Sequence, residues 1–204
     1  MYPDDIDPQS GCRLPLPRRD ELGPEGSRIY DGLADPNGGT LRGLRGPGGI
    51  MLHSEELARR ARPVNQYLRH QSELGPRLRE LAILATAREL DSQFEWAAHE
   101  AEARRVGVPA DVIETIRHRR PLDAIDPDDA AVIQLAREIF TARKVGSATF
   151  ARVLALFGRK RLVELVALMG NYAATAALLT AFDMQLDPDQ KPPLSSISTN
   201  ASGL

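Results

Sequence analysis

A chain of 204 residues is long enough for one domain with an arm, and too short for two full domains. Its 26 Lys and Arg against 28 Asp and Glu give a net charge of −2, which argues against nucleic acid as a partner, because neutralising phosphates needs a cationic excess. No apolar run approaches the roughly eighteen residues of a membrane span, so we expect no membrane partner.

The N-terminal 50 residues are rich in turn-forming residues. They hold ten of the 16 Gly and seven of the 15 Pro, and only residues 28–33 form a weak helical patch. We therefore predict an irregular arm over residues 1–50, mobile near its start and draped over the domain near Leu41. Residues 1–18 lack the apolar run of a signal peptide, so we expect a cytoplasmic protein. The single cysteine, Cys12, excludes an internal disulfide, a CxxC pair and a cysteine zinc site.

Residues 51–186 have helical spacing nearly throughout and no alternating strand pattern, which predicts an all-α fold. Helices are expected to begin at Ser54, Pro76 and Ser92. The first of these has four apolar residues along one side: Leu57, Ala61, Val64 and Leu68. Further helices are predicted at Pro109–Arg117, Pro127–Arg143, Ser147–Phe157 (ended by Gly158) and Arg159–Phe182. The last has almost no charge in its second half, so we expect it to be buried in the core or against another subunit. Residues 187–204 are polar and interrupted by proline, and are predicted to be a disordered tail.

Four polar residues in the centre of the chain have a spacing that suggests chemistry. Glu80, Ser92, Glu95 and His99 follow one another at steps of twelve, three and four residues. The last three share one face of a helix, and Glu80 lies on the preceding helix among apolar neighbours. A carboxylate on a half-apolar face opposite a histidine is typical of a tuned acid/base pair.

This region resembles the carboxymuconolactone decarboxylase and alkylhydroperoxidase D (AhpD-like) family over roughly residues 50–185. In the family's redox branch a Glu is followed by two Cys and a His, and here Glu80 and His99 match the Glu and the His. Ser92 and Glu95 stand in place of the two cysteines. The chain is more similar still to a cysteine-free subgroup with an FEWxxH core, matched by residues 94–99, and an LRGP…LHS segment, matched by residues 44–47 and 52–54.

The resemblance implies an AhpD-like helical bundle that forms a homo-oligomer, a trimer or hexamer. It also implies a cofactor-independent lyase, decarboxylase or isomerase acting on a small carboxylated or lactone substrate. His99 would be the general acid/base, Glu80 or Glu95 would orient or tune it, and Arg79 would contact the anion. Ser92, Trp96, His53 and Tyr172 are further candidates for substrate binding, and no cofactor or metal is expected.

Two other functions remain open at this stage. One is an AhpD-like hydroperoxide reductase, which the missing cysteines disfavour because that chemistry needs a reactive thiolate and a resolving thiol. The other is a non-catalytic oligomeric protein that binds a ligand without converting it.

Structural alternatives also remain open for the individual residues. Ser92 and Glu95 form a capping-box pattern, in which both would only satisfy amides at the start of a helix. Glu80 could be paired structurally with Arg79, Arg88 or His99, and His99 could itself be structural. Trp96 is also typical of a core residue, and His53 of an exposed loop.

Overall fold

The computed structural model describes residues 2–37 and 40–195, and the regular structure within these ranges is helical, which confirms the predicted all-α class. The helices are α1 (Pro24–Ala34), α2 (Pro47–Leu52), α3 (Glu55–Gln66), α4 (Pro76–Glu89), α5 (Gln93–Arg105), α6 (Ala110–Arg117), α7 (Pro127–Arg137) and α8 (Ser147–Ala181). Single π-helical turns at Tyr67–Gln71 and Glu138–Ala142 extend α3 and α7.

Helix α4 is the centre of the domain. It packs against α5, α6, α7 and α8, and every residue from Glu80 to Arg88 is buried. Its sequence explains this position, because apolar and small residues surround the helix on all sides instead of forming one stripe. A polar side chain on such a helix must find its partner inside the protein. This requirement places Glu80 against α5.

Helix α8 is broken where the sequence predicts a break. Gly158 has φ 67° and ψ 174°, a conformation that favours glycine, and it separates two helical segments. The second segment supplies Leu165, Leu168 and Met169 to the core, each 0% exposed, whereas Val163 on its other side is 69% exposed. By length and composition α8 also qualifies as a membrane-crossing helix, but a buried core helix has the same properties.

The arm is more ordered than the sequence indicates. It contains α1 and most of α2, and its start, which we expected to be mobile, packs against the end of α8: Arg13 N donates to Phe182 O (2.9 Å) and Gln185 N donates to Gly11 O (2.8 Å). Cys12 is only 1% exposed, and it lies in a small apolar cluster with Ile50, Phe94 and Leu179. The high Gly and Pro content of the arm indicated an irregular segment, although these few apolar residues attach it to the domain.

The loop between α1 and α2 depends on a glycine. A Cβ on Gly49 would lie 2.0 Å from the carbonyl oxygen of Leu44, so only glycine allows the loop backbone to approach α2 this closely. The LRGP segment over residues 44–47 forms this tight approach, and it brings the arm against α3 and α5.

The described part of the predicted tail is docked. Leu194 is 4% exposed and belongs to the main core, and the side chain of Gln93 makes hydrogen bonds of 2.9 Å to both its N–H and its carbonyl group. Arg117 and Arg88 donate to the carbonyl oxygens of Pro193 and Ser195, each at 2.8 Å. Residues 187–195 are thus more ordered than the sequence indicates, because one buried leucine and hydrogen bonds to Gln93, Arg117 and Arg88 hold the end of this segment against the domain. Residues 196–204 lie outside the described residues.

Candidate active site

Glu80 and His99 form a buried pair across the α4–α5 interface. Oε2 of Glu80 lies 2.7 Å from Nδ1 of His99, and the two residues are 0% and 3% exposed. A carboxylate at this distance accepts a hydrogen bond from Nδ1–H, so Nε2 lies on the opposite side of the ring, and in the neutral tautomer that makes this hydrogen bond Nε2 carries no proton. Arg79 lies with its Nε 3.4 Å from the second carboxylate oxygen of Glu80 and compensates its charge.

Glu95 faces the free side of the same imidazole. Its Oε2 lies 3.5 Å from His99 Nε2, one helical turn away, and the residue is 5% exposed. Burial raises the pKa of the Glu95 carboxyl above its usual range, against the opposing charges of His99, Arg69 and Arg42. Glu95 therefore keeps its proton at a pH where an exposed glutamate has lost it, so that a proton donor and a proton acceptor stand side by side.

The capping-box interpretation of this helix start does not describe the structure. Ser92 occupies the N-cap position of α5, but its side chain makes no capping hydrogen bond. The Ser92 amide, which Glu95 would have to satisfy, donates instead to the carbonyl of Ala87 at 2.8 Å. The carboxyl group of Glu95 is thus free to face the cavity.

A cavity of about 150 Å³ opens beside this group. Glu95, His99 and Tyr172 line it, and the ring of Tyr172 meets that of His99 edge-on, with the centroids 5.1 Å apart. Burial raises the pKa of the Tyr172 phenol, so its hydroxyl stays protonated. Further polar residues also line the cavity: Arg42, Arg62 and Arg69, and the uncharged Thr40, Asn65 and Thr175.

The other predicted site residues do not line this cavity. Glu80 lies behind His99, and the guanidinium of Arg79 contacts the carboxylate of Glu80 and donates a hydrogen bond to the backbone carbonyl of Arg69. Trp96 is 0% exposed in the core, where its Nε1–H donates to Glu100 (2.9 Å) and the Arg117 guanidinium lies 5.0 Å from its ring centroid. These placements favour positioning and packing over substrate contact.

Ser92 and His53 are likewise absent from the lining. Ser92 is buried at the α4–α5 turn. His53 is exposed, and its Nε2 lies 2.9 Å from the carbonyl oxygen of Pro15 in the arm. His53 therefore lies where the alternative of an exposed loop histidine places it, and the arm residues that line the cavity all precede it, from Ile29 to Met51.

Sequence reasoning missed the residues that α3 contributes. Ala58, Arg62, Asn65 and Arg69 line the cavity, and they follow one another at steps of four, three and four residues, which is the signal of a shared helix face. The apolar stripe that we noted on the same helix is largely outside, since Leu57 is 50% and Val64 53% exposed. On α3, the polar residues at helical spacing indicated the cavity-facing side better than the apolar residues did.

Across residues 2–37 and 40–195, no group of three or more His, Cys, Asp or Glu side chains is placed to hold an ion. Glu95 and His99 are thus a pair without a third ligand.

Comparisons with known proteins agree with this architecture. Residues 55–138 match the model of the carboxymuconolactone decarboxylase family. The fold is similar to a crystal structure described as the alkylhydroperoxidase AhpD core, an uncharacterized peroxidase-related protein from Ralstonia eutropha JMP134, with a TM-score of 0.69, 16% sequence identity, and coverage of 87% of this chain and 93% of that one. No curated protein matches the chain. The chain is therefore similar to the carboxymuconolactone decarboxylase family over residues 55–138, and its fold is that of the AhpD core.

Proposed function

We propose that this protein is a cofactor-independent acid/base enzyme, a lyase, decarboxylase or isomerase acting on a small carboxylated or lactone substrate. The observation that carries the proposal is the arrangement of His99, which is held by Glu80 through Nδ1 and presents Nε2 to a cavity beside the protonated carboxyl of Glu95. Such a pair supplies both halves of a proton transfer without a metal or organic cofactor.

The roles follow from the two protonation states. Nε2 of His99 takes a proton from the substrate, and the resulting imidazolium is stabilised by the carboxylate of Glu80. Glu95 gives its proton to the atom on which negative charge develops. In a decarboxylation the electron pair of the broken C–C bond stays on the substrate as an enolate, CO₂ leaves, and Glu95 or the imidazolium protonates the carbon.

Substrate screening tests the proposal. The purified protein would be incubated with small carboxylated lactones and unsaturated carboxylic acids in D₂O, with product formation and deuterium incorporation followed by NMR. We expect exchange or conversion of at least one compound class, absent without protein. Tight binding of a compound that is neither exchanged nor converted would move the protein to the non-catalytic, ligand-binding class.

The hydroperoxide reductase alternative leads to a prediction about Cys12. Its thiol is 1% exposed and lies outside the cavity lining, whereas a peroxidatic thiolate must be accessible. We expect the wild-type protein and Cys12→Ala to reduce organic hydroperoxides at the same rate as buffer containing dithiothreitol. A thiol-dependent peroxidase activity that Cys12→Ala abolishes would contradict our assignment.

We further propose that the protein assembles as a homo-oligomer, a trimer or hexamer, in the cytoplasm, without a nucleic-acid or membrane partner. An open groove between the end of α3 and α8, lined by Val64, Tyr67, Val163 and Ala167 among others, supports self-association, because exposed apolar surface of this kind is typical of interfaces. Val163 and Val64 are 69% and 53% exposed in the single chain.

Val163→Glu tests this assembly. In a monomer the substitution would be on the surface and change stability by less than about 0.5 kcal/mol. In an oligomer it buries an unpaired charge, so we expect light scattering to report dissociation or a clear loss of mass. Phe150→Glu, at a residue 52% exposed and outside the groove, is the matched control. A wild-type monomer at micromolar concentration would contradict the proposal.

A further inference from the structure

The cavity beside His99 is lined by an excess of positive charge. Arg42, Arg62 and Arg69 contribute three guanidinium groups, and Glu95 is the only acidic side chain among the described lining residues. Even a fully ionised Glu95 would compensate only one of these three charges. The cavity is therefore cationic when it is empty.

One of these arginines has an unused donor. The Nε–H of Arg69 is buried and has no hydrogen-bond partner among the described residues. A buried guanidinium N–H without an acceptor is unfavourable, so its persistence points to a ligand that supplies the acceptor. Arg62 and Asn65 lie on the same face of α3, seven and four residues before Arg69, and line the same cavity.

The third arginine comes from the arm. Arg42 pairs with Asp187 at 3.2 Å, and its guanidinium lies 5.2 Å from the ring centroid of Phe94. Arg42 lines the cavity from the arm, and both it and Asp187 lie outside residues 55–138, which match the family model. Since Asp187 shares part of its charge, Arg42 is the least free of the three to bind a ligand.

We propose that Arg69 and Arg62, with Asn65 beside them and Arg42 closing the site from the arm, form a carboxylate-binding subsite. It holds the anionic group of a small organic acid, so that the adjoining carbon faces His99 Nε2 and Glu95. A planar guanidinium binds a carboxylate through two parallel hydrogen bonds, which fixes orientation as well as charge. Arg69 takes the anion-binding role that the sequence indicated for Arg79.

This inference deepens the proposed function and relies on it for the reacting end, but binding itself requires no turnover. The experiment is therefore a titration followed by calorimetry and by thermal unfolding, with butyrate and glutarate as carboxylate probes. Butyramide is the uncharged isostere of butyrate, and inorganic phosphate tests a different anion. The variants are Arg69→Gln and Arg62→Gln, with Arg60→Gln as the control, because Arg60 is an exposed residue of the same helix that pairs with Glu56.

We expect butyrate or glutarate to bind and to raise the unfolding temperature of the wild type and of Arg60→Gln, whereas butyramide and phosphate have no comparable effect. Arg69→Gln should weaken carboxylate binding at least about tenfold and Arg62→Gln should also weaken it, since each removes a charge-assisted donor. Circular dichroism establishes that both variants are folded. If Arg69→Gln does not fold, Arg62→Gln alone decides.

Several outcomes would overturn the subsite. Equal binding of butyramide would make the cavity merely apolar, and preferential binding of phosphate would assign another ligand class. Unchanged affinity in both arginine variants would also overturn it. His99→Ala separates this proposal from the proposed function: carboxylate binding that persists there supports the subsite even if no substrate is ever converted, whereas turnover without arginine dependence would sink the subsite alone.

Discussion

Replacing His99 by alanine is expected to lower turnover by about a hundredfold or more while the helical fold persists. The reason is that Nε2 is the group that moves the proton, and neither Glu80 nor Tyr172 can replace it from its position. The variant also leaves the buried carboxylate of Glu80 with Arg79 as its remaining partner at 3.4 Å, so we expect a loss of stability of about 1–3 kcal/mol. The measurements are turnover of a substrate found by the screen and denaturant unfolding.

A second variant separates catalysis from structure. In His99→Asn the side-chain amide nitrogen takes the place of Nδ1 and still donates to Glu80, but nothing replaces Nε2. We expect it to recover much of the lost stability and none of the activity. His118→Ala, at an exposed histidine paired with Glu114, is the control for both quantities. Full activity in His99→Asn would reduce His99 to a structural residue.

Glu95→Gln is expected to have a comparable effect on turnover and a distinctive effect on stability. The rate should fall by about a hundredfold or more, because the amide cannot give up a proton to the substrate. The wild-type rate should also decline as the pH rises through the raised pKa of Glu95, since the proton donor is then lost.

The stability effect needs no substrate. Burial favours the protonated carboxyl of Glu95 in the folded state, so the folded pKa lies above the unfolded one. The contribution of the Glu95 proton to the free energy of unfolding is fully present below the unfolded pKa and is lost as the pH rises through the folded pKa. Its size is about 1.4 kcal/mol per unit of difference between the two pKa values. Glutamine stays neutral throughout. Glu95→Gln should therefore be more stable than the wild type at alkaline pH, with the difference vanishing in acid.

The charged and titratable groups around Glu95 are His99, Arg69, Arg42, Glu80 and Tyr172. A suitable control is a glutamate of the same helix whose pKa is shifted in the opposite direction. Glu102→Gln removes a carboxylate from the same helix that pairs with Arg105. The hydrogen bond from Arg105 lowers the pKa of the Glu102 carboxyl, so the pH dependence of stability should have the opposite sign. The wild type should be more stable than Glu102→Gln above the unfolded pKa, and this advantage should be lost in acid. A Glu95→Gln profile parallel to the wild type would mean that Glu95 is ionised like a surface residue.

Residues that belong to one helix and its neighbour were predictable. Glu80, Glu95 and His99 could be identified because two adjacent helices joined by a short turn must pack side by side, and because residues three and four apart share a face. The break at Gly158 was predictable for a similar reason, since glycine acts on the local backbone. The resemblance to the carboxymuconolactone decarboxylase family followed from the same short segment.

Distant residues were harder to assign. The choice between Arg79 and Arg69 as the anion contact depends on which side of α4 is covered by the turn after α3, and no local pattern carries that information. Arg42 reaches the cavity from the arm, and Asp187 holds it there from 145 residues along the chain. Leu194 looked like part of a free tail because a single leucine has no periodicity to reveal its docking site.

By itself, then, the sequence determined the helices that follow the arm, the break at Gly158 and the placement of Glu80 and His99 on neighbouring helices. Hydrogen bonding within a helix and the 3.6-residue repeat act over short distances, so local sequence is enough for these features. The tertiary structure alone decided which face of α3 turns inward, where the arm and the tail attach, and that Glu95 faces a cationic cavity instead of capping its helix. Those outcomes depend on which surfaces bury each other across the whole chain, and burial is also what raises the pKa of Glu95.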